Sequence, residues 1–267
     1  MTLKSPGHAR RLLPCGVFLV VAAMVSASAA ETGTWQVVKS QHFLVMHTGD
    51  EAFAQTVADK AESFYTTIAD DLGYKRLSGF WQWDNRVKVL IYASATDFRA
   101  ACQAPDWASG RANYKRHEIA SYRQGGEAFL SGLLPHEMAH LILADFVGAE
   151  RVPNWLTEGF SQWEQNGRPK APRLHAGTRW FTLRELTAMD IREATGRDRV
   201  AVYYEQCASV VGFLIGTYGG ERFGTFCRAL RDGKSCAEAL TAAYPDTVPT
   251  LDALEQAWRG AMQGPGR

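Results

Sequence analysis

His136-Glu137-Met138-Ala139-His140 lies inside a long, mostly apolar run of the chain. Between Glu127 and Val147 the apolar residues recur at helical spacing, and Gly148 supplies a stop. Residues four apart on a helix project from the same face, one turn above each other. We therefore predict a helix over residues 127–147 that directs the imidazoles of His136 and His140 towards one point.

Two imidazoles at this spacing are typical of a zinc site. Glu137 lies beside the pair without being a ligand, and its carboxylate can take a proton from a water molecule that the metal activates. It can then return the proton to a leaving amine, which amounts to amide hydrolysis. The alternative is a pair of core histidines with other partners. The apolar residues around the motif favour the zinc site, with Glu137 as general base.

A catalytic zinc ion needs a third protein ligand and one open position. Glu158 is the leading candidate, because it follows a Pro-Asn turn on the next predicted helix, which Asn154 would cap. Aromatic neighbours such as Trp155 and Trp163 indicate that this segment is buried. Four other donors remain open as the third ligand: Glu150, Asp145, Glu164 and His175.

The start of the chain differs in kind from the rest. A short basic stretch leads into the apolar run Leu12–Val25 and then into Ser26-Ala27-Ser28-Ala29-Ala30. This is the layout of a secretory signal peptide. We expect residues 1–30 to be removed and the mature protein to be periplasmic or secreted. An uncleaved membrane anchor is the alternative, but the run is short of the about 20 residues that span a bilayer.

Charge excludes one class of partner. The whole chain has 29 basic and 28 acidic residues, and the leader carries three of the basic ones, so the mature chain has a formal net charge of −2. No basic patch points to nucleic acid. We also expect no stable membrane insertion after cleavage, and the sequence carries no signal for an oligomeric state.

Four cysteines remain after the leader. An even number in an oxidising compartment predicts up to two disulfides, with free buried thiols as the alternative. The turn Arg231-Asp232-Gly233-Lys234 could bring Cys227 and Cys236 together, which leaves Cys102 and Cys207 as the second pair.

Outside the zinc helix, strands come first and helices follow. The predicted order is a strand pair at 35–38 and 42–47, a helix at 52–72, a strand at 86–93, and loops with one short strand at 118–122. After the zinc site we predict helices at 203–218, 222–230 and 235–243. We therefore expect an α+β fold, with residues 31–126 as its strand and helix part and residues 127–267 as zinc-site helices and helical lobe.

These motifs resemble a known family. His136–His140, followed after seventeen residues by the glutamate of Asn154-Trp155-Leu156-Thr157-Glu158-Gly159-Phe160, resembles the gluzincin pattern. More closely, the chain resembles the peptidase MA-like domain family of exported bacterial proteins. There a tryptophan-led strand pair, a long helix and a β-branched strand precede the zinc helix. The resemblance continues through Phe181–Leu186 and the helix starting near Tyr204.

The resemblance implies a zincin-like fold, in which a small mixed sheet and the active-site helix lie above a helical C-terminal lobe. It implies that Tyr204, or failing that Tyr203, stabilises the oxyanion, although either could be a core aromatic residue. It also implies that Glu118–Arg123 is the edge strand that pairs with an extended peptide. Nothing matches the Gly-x-Met-Glu-Asn segment that binds a free amine in the aminopeptidase branch. Exopeptidase action is therefore not expected.

Three classes of function follow from the sequence. The first is a zinc peptidase, most simply an endopeptidase, acting on peptide or protein substrates. The second is an inactive zinc-binding module that works through protein contacts, and the third is a metal-free envelope protein. Retention of Glu137 favours the first class, since a site kept only for folding needs no carboxylate beside its ligands. Metal analysis would separate the third class from the other two.

Overall fold

Buried residues alternate with more exposed ones along the second and third strands of the sheet in this computed structural model, which describes residues 34–73, 81–106, 108–123, 128–165, 179–189 and 197–263. The strands are β1 (Gln36–Lys39), β2 (Phe43–His47), β3 (Val87–Tyr92), β4 (Gly110–Asn113) and β5 (Glu118–Tyr122). Their order is β1-β2-β3-β5-β4. The three inner strands are parallel, and β1 and β4 are antiparallel at the two edges. The described chain is thus a mixed α+β protein with a small mixed sheet.

Helices cover both faces of the sheet and, with their connecting turns and loops, make up the rest of the described chain. They are α1 (Glu51–Asp71), α2 (Ala95–Cys102), α3 (Leu134–Val147), α4 (Asn154–Gln165), α5 (Leu183–Ala188), α6 (Arg197–Tyr218), α7 (Gly220–Arg231), α8 (Cys236–Ala243) and α9 (Leu251–Gln263). Val87, Val89 and Ile91 of β3 belong to the main core with α1 and α3. Leu90 and Tyr92 pack on the opposite face, against Phe98 of α2.

The helix predicted over residues 127–147 has two parts. Residues Ala128–Leu133 are π-helical, and the regular helix α3 starts at Leu134. Pro135 explains the change, because it has no amide hydrogen to donate and its ring clashes with the carbonyl four residues earlier. A wider turn before proline accommodates both effects. The regular helix therefore begins just before His136.

Helices α4 and α6 approach closely because two glycines remove side chains from their interface. A Cβ atom on Gly159 would collide with the backbone carbonyl of Cys207 on α6. A Cβ on Gly212 would lie 2.6 Å from the ring of Trp163. Within the described ranges, α6 is the one helix long and apolar enough to cross a bilayer, but more than half of that stretch is buried, as in a core helix.

The predicted edge strand is wrong. β5 pairs with β3 on one side and with β4 on the other, so Glu118–Tyr122 is an inner strand. The edge belongs to β4, which lies in a stretch that we predicted as loop. Four residues, Gly-Arg-Ala-Asn, are too few and too polar to show the alternation of a strand. The C-terminal helix α9 was likewise not predicted.

The predicted disulfides are also wrong, since Cys102, Cys207, Cys227 and Cys236 are all free thiols. Cys227 is fully buried in the core, a helical turn before the end of α7. Cys102 packs with the small cluster around Phe98, whereas Cys207 belongs to the main core. The turn after α7 therefore brings α7 and α8 together without joining the sulfur atoms of Cys227 and Cys236. The predicted signal peptide lies outside the described residues.

Replacing Gly159 by alanine should destabilise the protein, because the added methyl group has no space against α6. Overpacking of this kind costs about 1–3 kcal/mol or more. Gly216, also on α6, is the matched control, because a Cβ there meets nothing within 4 Å. Gly216→Ala should be neutral or stabilising by up to about 1 kcal/mol. Urea unfolding of both variants measures the difference, and equal stabilities would contradict the close approach.

Candidate metal centre

Three side chains from two helices converge beneath the sheet. His136 and His140 project from α3, and their Nε2 atoms lie 3.1 Å apart. Glu158 projects from α4, with Oε2 at 3.7 Å from Nε2 of His140. One donor atom from each residue lies within 4.8 Å of the other two. Within the described ranges, this is the one group of three such residues arranged to hold a metal ion.

The arrangement fits a tetrahedral metal ion. Ligand bonds of 2.0–2.2 Å at tetrahedral angles place neighbouring donor atoms about 3.3 Å apart. The two measured separations, 3.1 and 3.7 Å, bracket this value. Two imidazoles and one carboxylate are also a common donor set for catalytic zinc, which leaves one position open. His136, His140 and Glu158 could therefore hold such an ion with small adjustments.

Burial sets the charge of the imidazoles. It lowers the pKa of His136 to about 4. It lowers the pKa of His140 to about 3, and repulsion from His136 contributes to that shift. Both rings are therefore neutral at neutral pH, which is the form that binds metals. Gln165 and the backbone of Ser161, both on α4, face the His136 ring and partly oppose the effect of burial on its pKa.

The pKa values of the two carboxyl groups, Glu137 and Glu158, are shifted upwards. Burial raises the pKa of Glu158 to about 7. Burial, together with the charge of Glu158, raises the pKa of Glu137 to about 7. Two partly buried carboxylates next to two neutral imidazoles favour binding of a cation, because a positive ion would stabilise the ionised form of both. The charges of the site thus agree with its geometry.

Glu137 also contacts the sheet. A hydrogen bond from the backbone of Ala112, on β4, favours the ionised carboxylate and partly offsets the effect of burial. Strand β4 packs alongside α3. The predicted general base therefore lies between the candidate metal ligands and the edge of the sheet.

The alternative third ligands do not join the cluster. Asp145 accepts a hydrogen bond of 2.8 Å from Nε1 of Trp81 and lies 2.9 Å from Nε2 of His117. Neither Glu150 nor Glu164 belongs to the group of described residues that could hold a metal. His175 lies outside the described residues. Among the described candidates, Glu158 alone is brought to the two histidines.

The two tyrosines predicted from α6 differ in exposure. Tyr203 is fully buried and packs edge-to-face on Tyr204, with ring centroids 5.6 Å apart. Tyr204 is half-buried, and burial together with the charge of Glu158 raises its pKa. The charge of Glu158 contributes to the raised pKa of both tyrosines, but only Tyr204 retains some exposure, whereas Tyr203 is a core residue.

Sequence reasoning missed Tyr114, which follows β4 in a short 3-10 helix, Tyr114–Arg116. Burial and the charges of Glu137 and Glu158 raise its pKa to about 12. The site therefore has a tyrosine on the sheet side as well. No motif marks this residue, and only recognition of β4 as the edge strand would have pointed to it.

Comparison with known proteins agrees with this geometry. A family model described as the Peptidase MA superfamily matches residues 75–264, more than two thirds of the chain. The matched region includes both helices of the metal centre and strand β4. No curated protein matches the chain. The resemblance inferred from the histidine motif and the Pro-x-Trp-x-x-Glu-Gly segment is confirmed, and the chain belongs to the peptidase MA superfamily.

Proposed function

We propose that this protein is an exported zinc-dependent endopeptidase with a zincin-type fold. The observation that carries the proposal is the convergence of His136, His140 and Glu158, with the carboxylate of Glu137 beside them. Membership of the peptidase MA superfamily implies peptide or protein substrates. Export rests on the signal-peptide pattern of residues 1–30.

Each side chain of the site has a separate task in this proposal. His136, His140 and Glu158 would hold the zinc ion. When bound, zinc would supply a Lewis acid that polarises the peptide carbonyl and lowers the pKa of water. Glu137 would accept the proton from the attacking water at its carboxylate and deliver it to the leaving amine.

The substrate would lie along β4. This strand is an edge of the sheet and passes next to Glu137, so an extended peptide can add to it through main-chain hydrogen bonds. The sequence lacks the segment that captures a free amine in aminopeptidases, which favours cleavage within a chain. Tyr204 would approach the scissile carbonyl from the helical side and donate its hydroxyl hydrogen to the developing oxyanion.

The variant Glu137→Gln separates the role of Glu137 in catalysis from metal binding. Glu137→Gln keeps the size of the side chain and all three metal ligands, but an amide cannot accept the proton. Activity should fall by about 10²-fold or more, while zinc content and melting temperature stay near those of the wild type. Zinc analysis, thermal unfolding and hydrolysis of fluorescein-labelled casein on one preparation measure all three.

The matched controls are Glu158→Gln and His140→Ala, which should lose zinc and activity together, because each removes a ligand. Casein cleavage by Glu137→Gln at the wild-type rate would refute the proposed mechanism. Full zinc retention by Glu158→Gln would refute Glu158 as the third ligand.

Zinc affinity should depend on pH through Glu158. The ligand must be ionised to bind, and the pKa of Glu158 in the metal-free protein is raised to about 7. Affinity should therefore be constant above that pH and fall by at least about tenfold per pH unit below it, because Glu137, whose pKa is also raised to about 7, loses its charge in the same range. The histidines add no dependence until much lower pH, because their pKa values are about 4 and 3.

Chelator competition between pH 5.5 and 7.5 measures this slope. Glu158→Gln should bind zinc more weakly and with a flatter pH profile. An unchanged slope in that variant would show that another group titrates with binding.

A further inference from the structure

Tyr114 lies at the end of the edge strand that passes the site. Side chains two residues apart on an extended strand share a face, and the backbone stays extended through Asn113 (φ −124°, ψ 100°). The side chain of Tyr114 therefore lies on the same face as that of Ala112, the residue whose backbone forms a hydrogen bond with Glu137. The 3-10 helix that begins at Tyr114 packs against α3.

Two hydrogen bonds close this short helix, and one side-chain contact ties it to α3. The Asn113 side chain accepts a hydrogen bond from the amide of Arg116, 3.2 Å away. His117 ends the helix in the left-handed conformation (φ 48°), and its amide donates to the carbonyl of Tyr114. Its ring reaches the Asp145 carboxylate on α3 at 2.9 Å, and Asp145 is also bound by Trp81. The backbone of Tyr114 is thus fixed relative to the helix that carries His136 and His140.

The Tyr114 side chain is available to a ligand. It is 39% exposed, and among the large aromatic residues of the described ranges only Trp83 is more exposed. Burial raises the pKa of its hydroxyl to about 12, and the charges of Glu137 and Glu158 add to that shift. The phenol therefore keeps its hydrogen at neutral pH and can act as a hydrogen-bond donor beside the metal ligands.

We propose that Tyr114 is a catalytic residue that donates a hydrogen bond to the oxygen of the peptide carbonyl under attack, from the sheet side of the cleft. The hydrogen stays on the phenol throughout, so no bond to Tyr114 forms or breaks. The inference rests on the proposed peptidase function and complements Tyr204, which approaches from the helical side.

The binding of a ligand that the enzyme does not cleave tests this role of Tyr114. Cobalt(II) in place of zinc gives a visible absorption band that reports on the metal site, and acetohydroxamate places a charged oxygen at the metal. In Tyr114→Phe the dissociation constant of acetohydroxamate should rise by about tenfold, the usual effect of losing a hydrogen bond to a charged group. Cobalt affinity itself should stay unchanged.

Tyr122→Phe is the matched control, because Tyr122 ends the neighbouring strand β5 and packs against Phe98 on the opposite face of the sheet. It should bind acetohydroxamate like the wild type. In parallel, casein hydrolysis by zinc-loaded Tyr114→Phe should fall by about 10–10³-fold. Equal acetohydroxamate affinity in Tyr114→Phe and wild type would overturn the role of Tyr114. Failure of the wild type to bind cobalt would instead overturn the metal site, and this inference with it.

Discussion

The absence of a side chain at Gly159 is the constraint on which the site depends. It lets the backbone of α6 lie directly against α4 at Cys207, and Glu158 is the residue immediately before Gly159 on α4. The same interface is completed by Trp163, which covers Gly212 and donates a hydrogen bond of 3.0 Å to Asp71 at the end of α1. The position of Glu158 relative to the histidines of α3 is therefore set by backbone contact, which tolerates little change.

The electrostatics of the site oppose folding and favour binding. Burial shifts all four groups towards their uncharged forms, because it raises the pKa of the two carboxyl groups to about 7 and lowers the pKa values of the two imidazoles. Buried groups of this kind reduce the stability of the empty protein. A bound cation would reverse the balance for the carboxylates, since its charge would stabilise their ionised form. Stability and metal loading would consequently be coupled at this site.

Much of the site could be predicted because its signals are local. Helical period alone places His136 and His140 on one face, and the Pro-Asn turn with its aromatic neighbours marks the helix that carries Glu158. The parts that could not be predicted depend on long-range pairing. β4 is a strand only because β5 lies beside it, and Asp145 is tied to Trp81 and His117, which are distant in sequence. Cysteine number likewise says nothing about which sulfur atoms face each other in the folded chain.

Both edges of the sheet are only four residues long. A long, flat edge is a template on which other chains can pair and aggregate, and short edges are one of the devices by which proteins avoid this. The 3-10 helix after Asn113 ends β4 abruptly, so a strand added there gains few main-chain hydrogen bonds. An edge of this length can hold a passing peptide weakly and release it, yet it offers little to a second copy of the same sheet.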